Sequence, residues 1–212
     1  MESTGLQSVY QRIAEGRLFE QYRDAFLAAT GLPLMLVHAD EETWIPCTGG
    51  DNESPFCQEL NTKNHVCEAC IAASRELRDQ FPCAAPSHSV TCFAGLKETA
   101  VPIRLGSDNF AFLKTGEVFD KEPTRAGFER VKEILGPLGY TDYQLGKLEK
   151  AYFATPVVEG PRYEGVVALL ATFAEHLQRQ VEELLLQTVQ SNAMVSPLPR
   201  AIPPWVPMDM LV

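Results

Sequence analysis

Phe56-Cys57-Gln58-Glu59-Leu60 opens, and Thr115-Gly116-Glu117-Val118 closes, the stretch whose reading decides the fold of this chain. It holds five of the six cysteines, Cys57, Cys67, Cys70, Cys83 and Cys92. Cys92-Phe93-Ala94-Gly95-Leu96 leads into Ala100-Val101-Pro102-Ile103. The polar turn Gly106-Ser107-Asp108-Asn109 then gives way to Phe110-Ala111-Phe112-Leu113-Lys114-Thr115. β-rich flanks around a short polar turn predict an antiparallel hairpin of residues 98–104 with 110–118. Val90 to Phe93 reads as the start of the sheet. Proline has no N–H for a ladder, so Pro102 predicts that its strand is an edge or is bulged there.

Upstream, the spacing is helical. Leu6, Val9, Tyr10 and Ile13 fall on one face, and Phe19, Tyr22, Phe26 and Ala29 repeat the pattern up to Gly31. Leu34-Met35-Leu36-Val37 reads as a buried strand, with Thr43-Trp44-Ile45-Pro46 as its hairpin partner. Phe56 to Leu60 reads as a short helical turn. Asn64 is placed to cap a helix to about Phe81, with Cys67 and Cys70 on its inner face.

Downstream, Pro123 opens a helix to about Leu138, and Thr141 or Asp142 caps another containing Leu145, Leu148, Tyr152 and Phe153. The longest periodic segment spans 163–190. Val167, Leu170, Ala174, Leu177, Val181, Leu184 and Thr188 alternate three- and four-residue steps, an a/d seam of about three heptads. Two uses fit such a seam: packing on the chain's own sheet, or pairing in a parallel homodimer. Residues 191–212 hold five prolines around Trp205. They read as a flexible tail that can be neither helix nor central strand. Trp205 between prolines suits the aromatic groove of a partner.

At 212 residues, 45% hydrophobic and 22% charged, the chain has globular composition. Its net charge of −10 disfavours nucleic acid and anionic membranes, which repel a polyanion. No run of eighteen apolar residues predicts a membrane span, and the N-terminus has no signal-peptide pattern. A cytoplasmic location is the default expectation. There the cysteines are expected as thiols or metal ligands rather than disulfides.

Cys67-x-x-Cys70 puts two sulfurs on one helical face, with Cys57 before that helix and Cys92 in a strand after it. Four thiolates converging at ~2.3 Å would close a tetrahedral zinc site, and the same set could hold an iron–sulfur cluster. The alternative is that each cysteine packs as a small hydrophobe. Glu68, between the two thiols, disfavours a thiolate of the thioredoxin kind. There is no Gly-rich phosphate loop, no His-Glu-x-x-His and no Gly-x-Ser-x-Gly, so nothing specific supports an enzyme.

Four blocks in this order carry a resemblance: Phe56-Cys57 followed by Cys67, Cys92-x-Ala94-Gly95-Leu96, Ala100-Val101-Pro102-Ile103 and Thr115-Gly116-Glu117-Val118. The chain resembles the PocR sensory domain family over roughly residues 18–185, starting from Phe26-x-x-x-Thr30-Gly31-Leu32. The resemblance implies an α/β (α+β) fold of PAS/GAF type, with a central antiparallel sheet flanked by helices and a small-molecule pocket on the sheet. It divides the chain into a sensory domain with N-terminal helices (1–162), a long signalling or dimerisation helix (163–190) and the tail (191–212). Domains of this family are attached to bacterial transcription regulators, histidine kinases and cyclic-dinucleotide enzymes, and they are associated with small hydrocarbon derivatives such as diols. Here Phe93 stands where the family usually has histidine, and Glu117 where it usually has glutamine. An anionic acceptor at 117 favours a ligand with donor groups. No output domain follows, so the signal is expected to pass to a separate partner.

The expected function is thus non-enzymatic: a ligand-binding sensor for a small organic molecule. Phe56, Cys92, Phe93, Gly95, Leu96, Pro102, Phe112, Thr115 and Glu117 are its expected ligand residues, with Ile103, Phe110 and Leu113 as further apolar wall. The competing reading is a zinc, iron–sulfur or redox-sensing protein that uses Cys57, Cys67, Cys70 and Cys92. A dimeric adaptor using the long helix and the tail is a third.

Overall fold

The computed structural model describes residues 2–40, 53–62, 68–81 and 85–195. Two helices, α1 (Glu2–Ala14) and α2 (Arg17–Thr30), lead into strand β1 (Leu34–His38). Gly31 ends α2 in the left-handed conformation, its N–H donating to the Leu27 carbonyl 2.8 Å away. Helix α3 (Pro55–Asn61) and helix α4 (Glu68–Asp79) follow. Then come β2 (His88–Thr91), β3 (Lys97–Leu105) and β4 (Asp108–Val118). The chain closes with α5 (Arg125–Leu135), a 3-10 turn at Gly136–Leu138, α6 (Asp142–Ala154) and α7 (Gly160–Val195). The expected strand at Thr43–Pro46, the Asn64 cap, Cys67, Cys83 and residues 196–212 lie outside the described residues.

The sheet runs β1-β4-β3-β2, with every neighbouring pair antiparallel. The hairpin of β3 and β4 that the sequence predicts is present, and it forms the centre of the sheet rather than an edge. Its turn is tighter than expected. Leu105 pairs with Asp108, leaving Gly106 and Ser107 as a two-residue connection. Pro102 is reconciled with its central strand by the shortness of β2. That strand pairs only with Lys97 to Ala100, so among the described residues no strand pairs with β3 on that side at Pro102.

Because side chains alternate along a strand, the two faces of the sheet differ. Val101, Ile103, Ala111 and Leu113 face α1, α2 and α7 in the largest apolar cluster. Ala100 and Phe112 face the other way, with Val37 and Val90, against Leu77 and Phe81 at the end of α4. A third cluster lies at one end of the sheet, where Phe56 and Leu60 of α3 pack on Phe128, Val131, Leu148 and Tyr152 of α5 and α6.

The long helix departs from the sequence reading at both ends. It begins at Gly160 rather than 163, because proline is tolerated in a first helical turn, where its missing N–H is not needed. It runs on to Val195, so the first residues assigned to the tail are helical. Of the two uses open to its seam, the chain's own core takes Leu170, Ala174, Leu177 and Val181, all buried against the sheet and α1. Those four residues are therefore not presented to a second chain. Thr141 caps α6 through a full capping box with Gln144, as expected of one of its two candidates.

Candidate functional site

The end of the sheet nearest α3 carries a buried group of charged and thiol side chains. Alternation puts Lys114 on the Phe112 face of β4 and Glu98 on the matching face of β3. They meet diagonally across the two strands. Lys114 Nζ lies 2.7 Å from Glu98 Oε2, and the two side chains are only 6% and 13% exposed. Two residues further along β4, Gly116 pairs with Glu98 while Val118 pairs with Lys97, so Glu117 is the extra residue of a β-bulge. It is the only non-glycine with positive φ, +56°, among the described residues. Its side chain is buried, and its Oε2 accepts the backbone N–H of Ser54 at 2.7 Å.

Ser54 is the N-cap of α3, and its hydroxyl accepts the N–H of Cys57. The first turn of α3 is thereby clamped between β4 and the segment after α6, where the Phe56 N–H donates to Thr155 Oγ1 at 3.3 Å. Glu53, just before the cap, accepts Asn61 Nδ2 at 2.9 Å with one oxygen. Its other oxygen is buried with no hydrogen-bond partner among the described residues. Cys92 starts the β2–β3 turn. Its N–H donates to the Leu96 carbonyl and its own carbonyl accepts from Gly95, each at 2.9 Å.

Charge is expensive in this setting, and the proton affinities show it. Burial, then Glu98, pushes the Glu117 carboxyl up to about 7, against the pull of Lys114. Burial alone would lower the Lys114 ammonium, but Glu98 and Glu117 outweigh it and hold it above its ordinary value. Burial, then the Glu117 carboxylate, raises the Cys57 thiol well above normal. Burial and Glu98 push Cys92 up to about 12. Both thiols are therefore protonated near neutrality, and neither is an activated nucleophile.

The residues expected from sequence are divided by this geometry. Glu117, Phe112 and Pro102 lie on the strands and face that carry Lys114. Cys92, Phe93 and Gly95 form the adjoining turn, and Phe93 sits 6.4 Å from the ring of Phe56. Phe56 and Leu96 are interior residues of the α3–α5–α6 cluster, 1% and 0% exposed. Thr115 faces the opposite side of the sheet, where its hydroxyl donates to the Pro33 carbonyl at 2.6 Å. Ile103 and Leu113 are on that side too. Of the proposed metal set, Cys57, Cys70 and Cys92 all pack against the same apolar cluster. Among the described residues no group of three or more His, Cys, Asp or Glu side chains is placed to hold a metal ion, and Cys67 lies outside them.

Sequence reasoning missed Lys114, Glu98, Glu53 and Ser54. A lysine inside an otherwise apolar run, two residues from Phe112, was the available signal. Period-two counting places it on the Phe112 face.

An antiparallel sheet covered by helices on both faces, closed by a long C-terminal helix and holding a buried ion pair, defines an α+β domain. The chain belongs to the PocR family, described as the sensory domain found in PocR, whose family model matches residues 13–181. No curated protein and no solved structure matches it. Membership of a sensory family points to a role in signalling rather than catalysis. No helix among the described residues is long and apolar enough to cross a membrane.

Proposed function

We propose that the protein is a ligand-binding sensor of bacterial signal transduction or transcription regulation. Its ligand is a small organic molecule, a hydrocarbon derivative with at least one hydrogen-bond donor. It binds at the sheet face marked by Phe112, Lys114, Glu98 and Glu117, next to the Cys92–Leu96 turn. One observation carries this reading: a buried ammonium, Lys114, accompanied by the half-buried carboxylate of Glu98 and the buried carboxyl of Glu117. The ion pair can balance itself, whereas Glu117 adds a second carboxyl whose ionisation is opposed first by burial and then by Glu98. A donor group brought by a ligand would satisfy that carboxyl. Protonated thiols and a protonated lysine support a binding role over covalent catalysis.

The test is native mass spectrometry of the full chain, followed by a thermal-shift screen of small diols, amino alcohols and amines. A ligand of this site raises the melting midpoint of the wild type and loses most of that effect in Glu117→Gln and Lys114→Met. A ligand that stabilises all three proteins equally binds elsewhere and overturns the assignment.

A cysteine-ligated zinc or iron–sulfur centre is the second reading, favoured by the gathering of Cys57, Cys70 and Cys92 on one cluster. It ranks second because, among the described residues, the donors do not assemble a ligand set. Elemental analysis and a visible spectrum separate the two. We also assign the domain a homodimeric state through α7. With the seam occupied at home, its outer face, where Leu169 and Leu186 are exposed, is the surface left for it.

A further inference from the structure

The bulge that buries Glu117 also touches α7, on the other side of the sheet. Gly116 has φ +127°, and a Cβ there would collide with the Lys97 carbonyl oxygen and approach the Tyr163 hydroxyl to 3.0 Å. Tyr163 is in the first turn of α7 and is 2% exposed. Its hydroxyl shares a 2.7 Å hydrogen bond with Thr99 Oγ1, and Thr99 Oγ1 shares another of 2.7 Å with Ser89 Oγ. The Lys97 ammonium lies 4.7 Å from the centre of the Tyr163 ring. Glu98 and Thr99 are thus consecutive residues of β3 that point to opposite faces, one to the ionic cluster and one to α7. Gly116 and Glu117 do the same on β4.

A second connection runs through the backbone. Two residues beyond Glu117, the Phe119 N–H donates to the Pro156 carbonyl at 3.0 Å. The Phe119 carbonyl in turn accepts from Val158 at 2.8 Å. This pins the linker that delivers α7. The bulge therefore has three fixed neighbours: α3 through Ser54, the α6–α7 linker through Phe119, and α7 itself through Tyr163.

We infer that the Gly116–Glu117 bulge is a relay, in which a change of partner at Glu117 shifts the bulge and resets the Tyr163–Thr99 contact that seats the start of α7. The inference rests on the sensor reading for what would drive it, but the relay is a property of the ligand-free chain. Glu117 holds a left-handed backbone that a β-strand residue normally leaves. Its carboxylate's hold on Ser54 opposes that tendency. Loosening the hold lets the bulge relax toward extended strand, and a Gly116 that shifts toward the space its missing Cβ would fill meets the tyrosine hydroxyl. Tyr163 is here a positioning residue, since it touches no proposed ligand group. Contiguous contacts alone do not establish coupling, so the test is a double-mutant cycle.

Hydrogen–deuterium exchange of the full ligand-free chain reads local opening segment by segment. Glu117→Ala removes the anchor and disfavours positive φ. Tyr163→Phe keeps the ring and deletes only the hydroxyl. Glu117→Ala is expected to speed exchange over residues 160–170 by about tenfold, and by less than about twofold once Tyr163→Phe is already present. Acceleration confined to α3 and β4, or two effects that simply multiply, overturns the relay. Should Glu117→Ala open the whole domain, Glu117→Gly, which tolerates the same φ, is judged by the same criterion. A fruitless ligand screen does not alter these rates, and unresponsive α7 rates sink the relay even where a ligand is found.

Discussion

Replacing Glu117 by glutamine tests the electrostatics of the cluster directly. Glutamine keeps an oxygen to accept the Ser54 N–H and keeps the side-chain length, but it cannot ionise. The folded protein holds the Glu117 proton up to about pH 7, while an ordinary glutamate gives it up near 4.5. Below pH 4.5 both folded and unfolded chains carry the proton, and the group has no effect. Between those values only the folded chain binds it, so stability from this group falls as pH rises. Above about 7 the loss is complete. At ~1.4 kcal/mol per pH unit, the gap amounts to about 3 kcal/mol, of which about 2–3 kcal/mol falls between pH 5 and pH 8. The assay is urea denaturation of both proteins at pH 5 and pH 8. Other titrating groups, such as the Asp79 carboxyl held low by its hydrogen bond to Arg78, act on both proteins and cancel in the comparison. The wild type should lose about 2–3 kcal/mol more than Glu117→Gln over that range. Equal losses, to within ~0.5 kcal/mol, would mean that Glu117 stays ionised throughout, and the argument from burial would fail.

Three further outcomes follow from the same geometry. Gly116→Ala puts a methyl group onto the Lys97 carbonyl at a positive φ, and should cost about 3 kcal/mol or more in chemical denaturation. Lys114→Met strands the Glu98 carboxylate and should cost about 3–5 kcal/mol, most of it recovered on adding Glu98→Gln; a double variant no more stable than the single one would show that the pair is not balanced as described. Dialysis against a strong chelator should leave the melting midpoint unchanged, because the organic-ligand reading needs no metal for folding. A fall of several degrees would move the cysteines to the metal reading.

Much of the framework was legible because its signals are local. The hairpin of β3 and β4 announces itself by a polar turn between β-rich runs, and the capping box at Thr141 and Gln144 spans only four residues. The errors share a cause: a choice between faces or partners that short-range pattern does not settle. Thr115 reads as a pocket residue along with Phe112 by proximity, yet an odd separation on a strand puts them on opposite faces. Lys114 was passed over because aromatic residues dominate that run, although its even separation from Phe112 was countable. The seam of α7 was ambiguous for a deeper reason. A helix lying on a sheet and a helix in a two-chain coil both need a narrow apolar stripe, and only the position of α1 and the sheet decides which neighbour fills it. The bulge was invisible, since Gly116-Glu117 in sequence does not reveal that one of its two residues goes unpaired.

Three separate costs converge on Glu117. Its backbone is left-handed, which disfavours any side chain but glycine's or asparagine's. Its carboxylate is buried, and a second carboxylate, Glu98, stands nearby to repel it. A protein that needed only the hydrogen bond to Ser54 could obtain it from a neutral amide without the electrostatic penalty, and one that needed only the bulge could use glycine. Neither substitute would offer an anionic acceptor at a backbone position that also meets α7. Local rules broken together at one residue are what a functional position looks like when the rest of the chain obeys them. The same reasoning fails at Thr99 or Tyr163, whose burial is fully satisfied by each other and whose cost is small. The strain sits on the cluster side of the sheet and the satisfied contacts sit on the helix side. Coupling between two sites is reciprocal, so a link through the bulge should also make Tyr163→Phe shift the pH at which Glu117 titrates, and an unchanged value would count against the link.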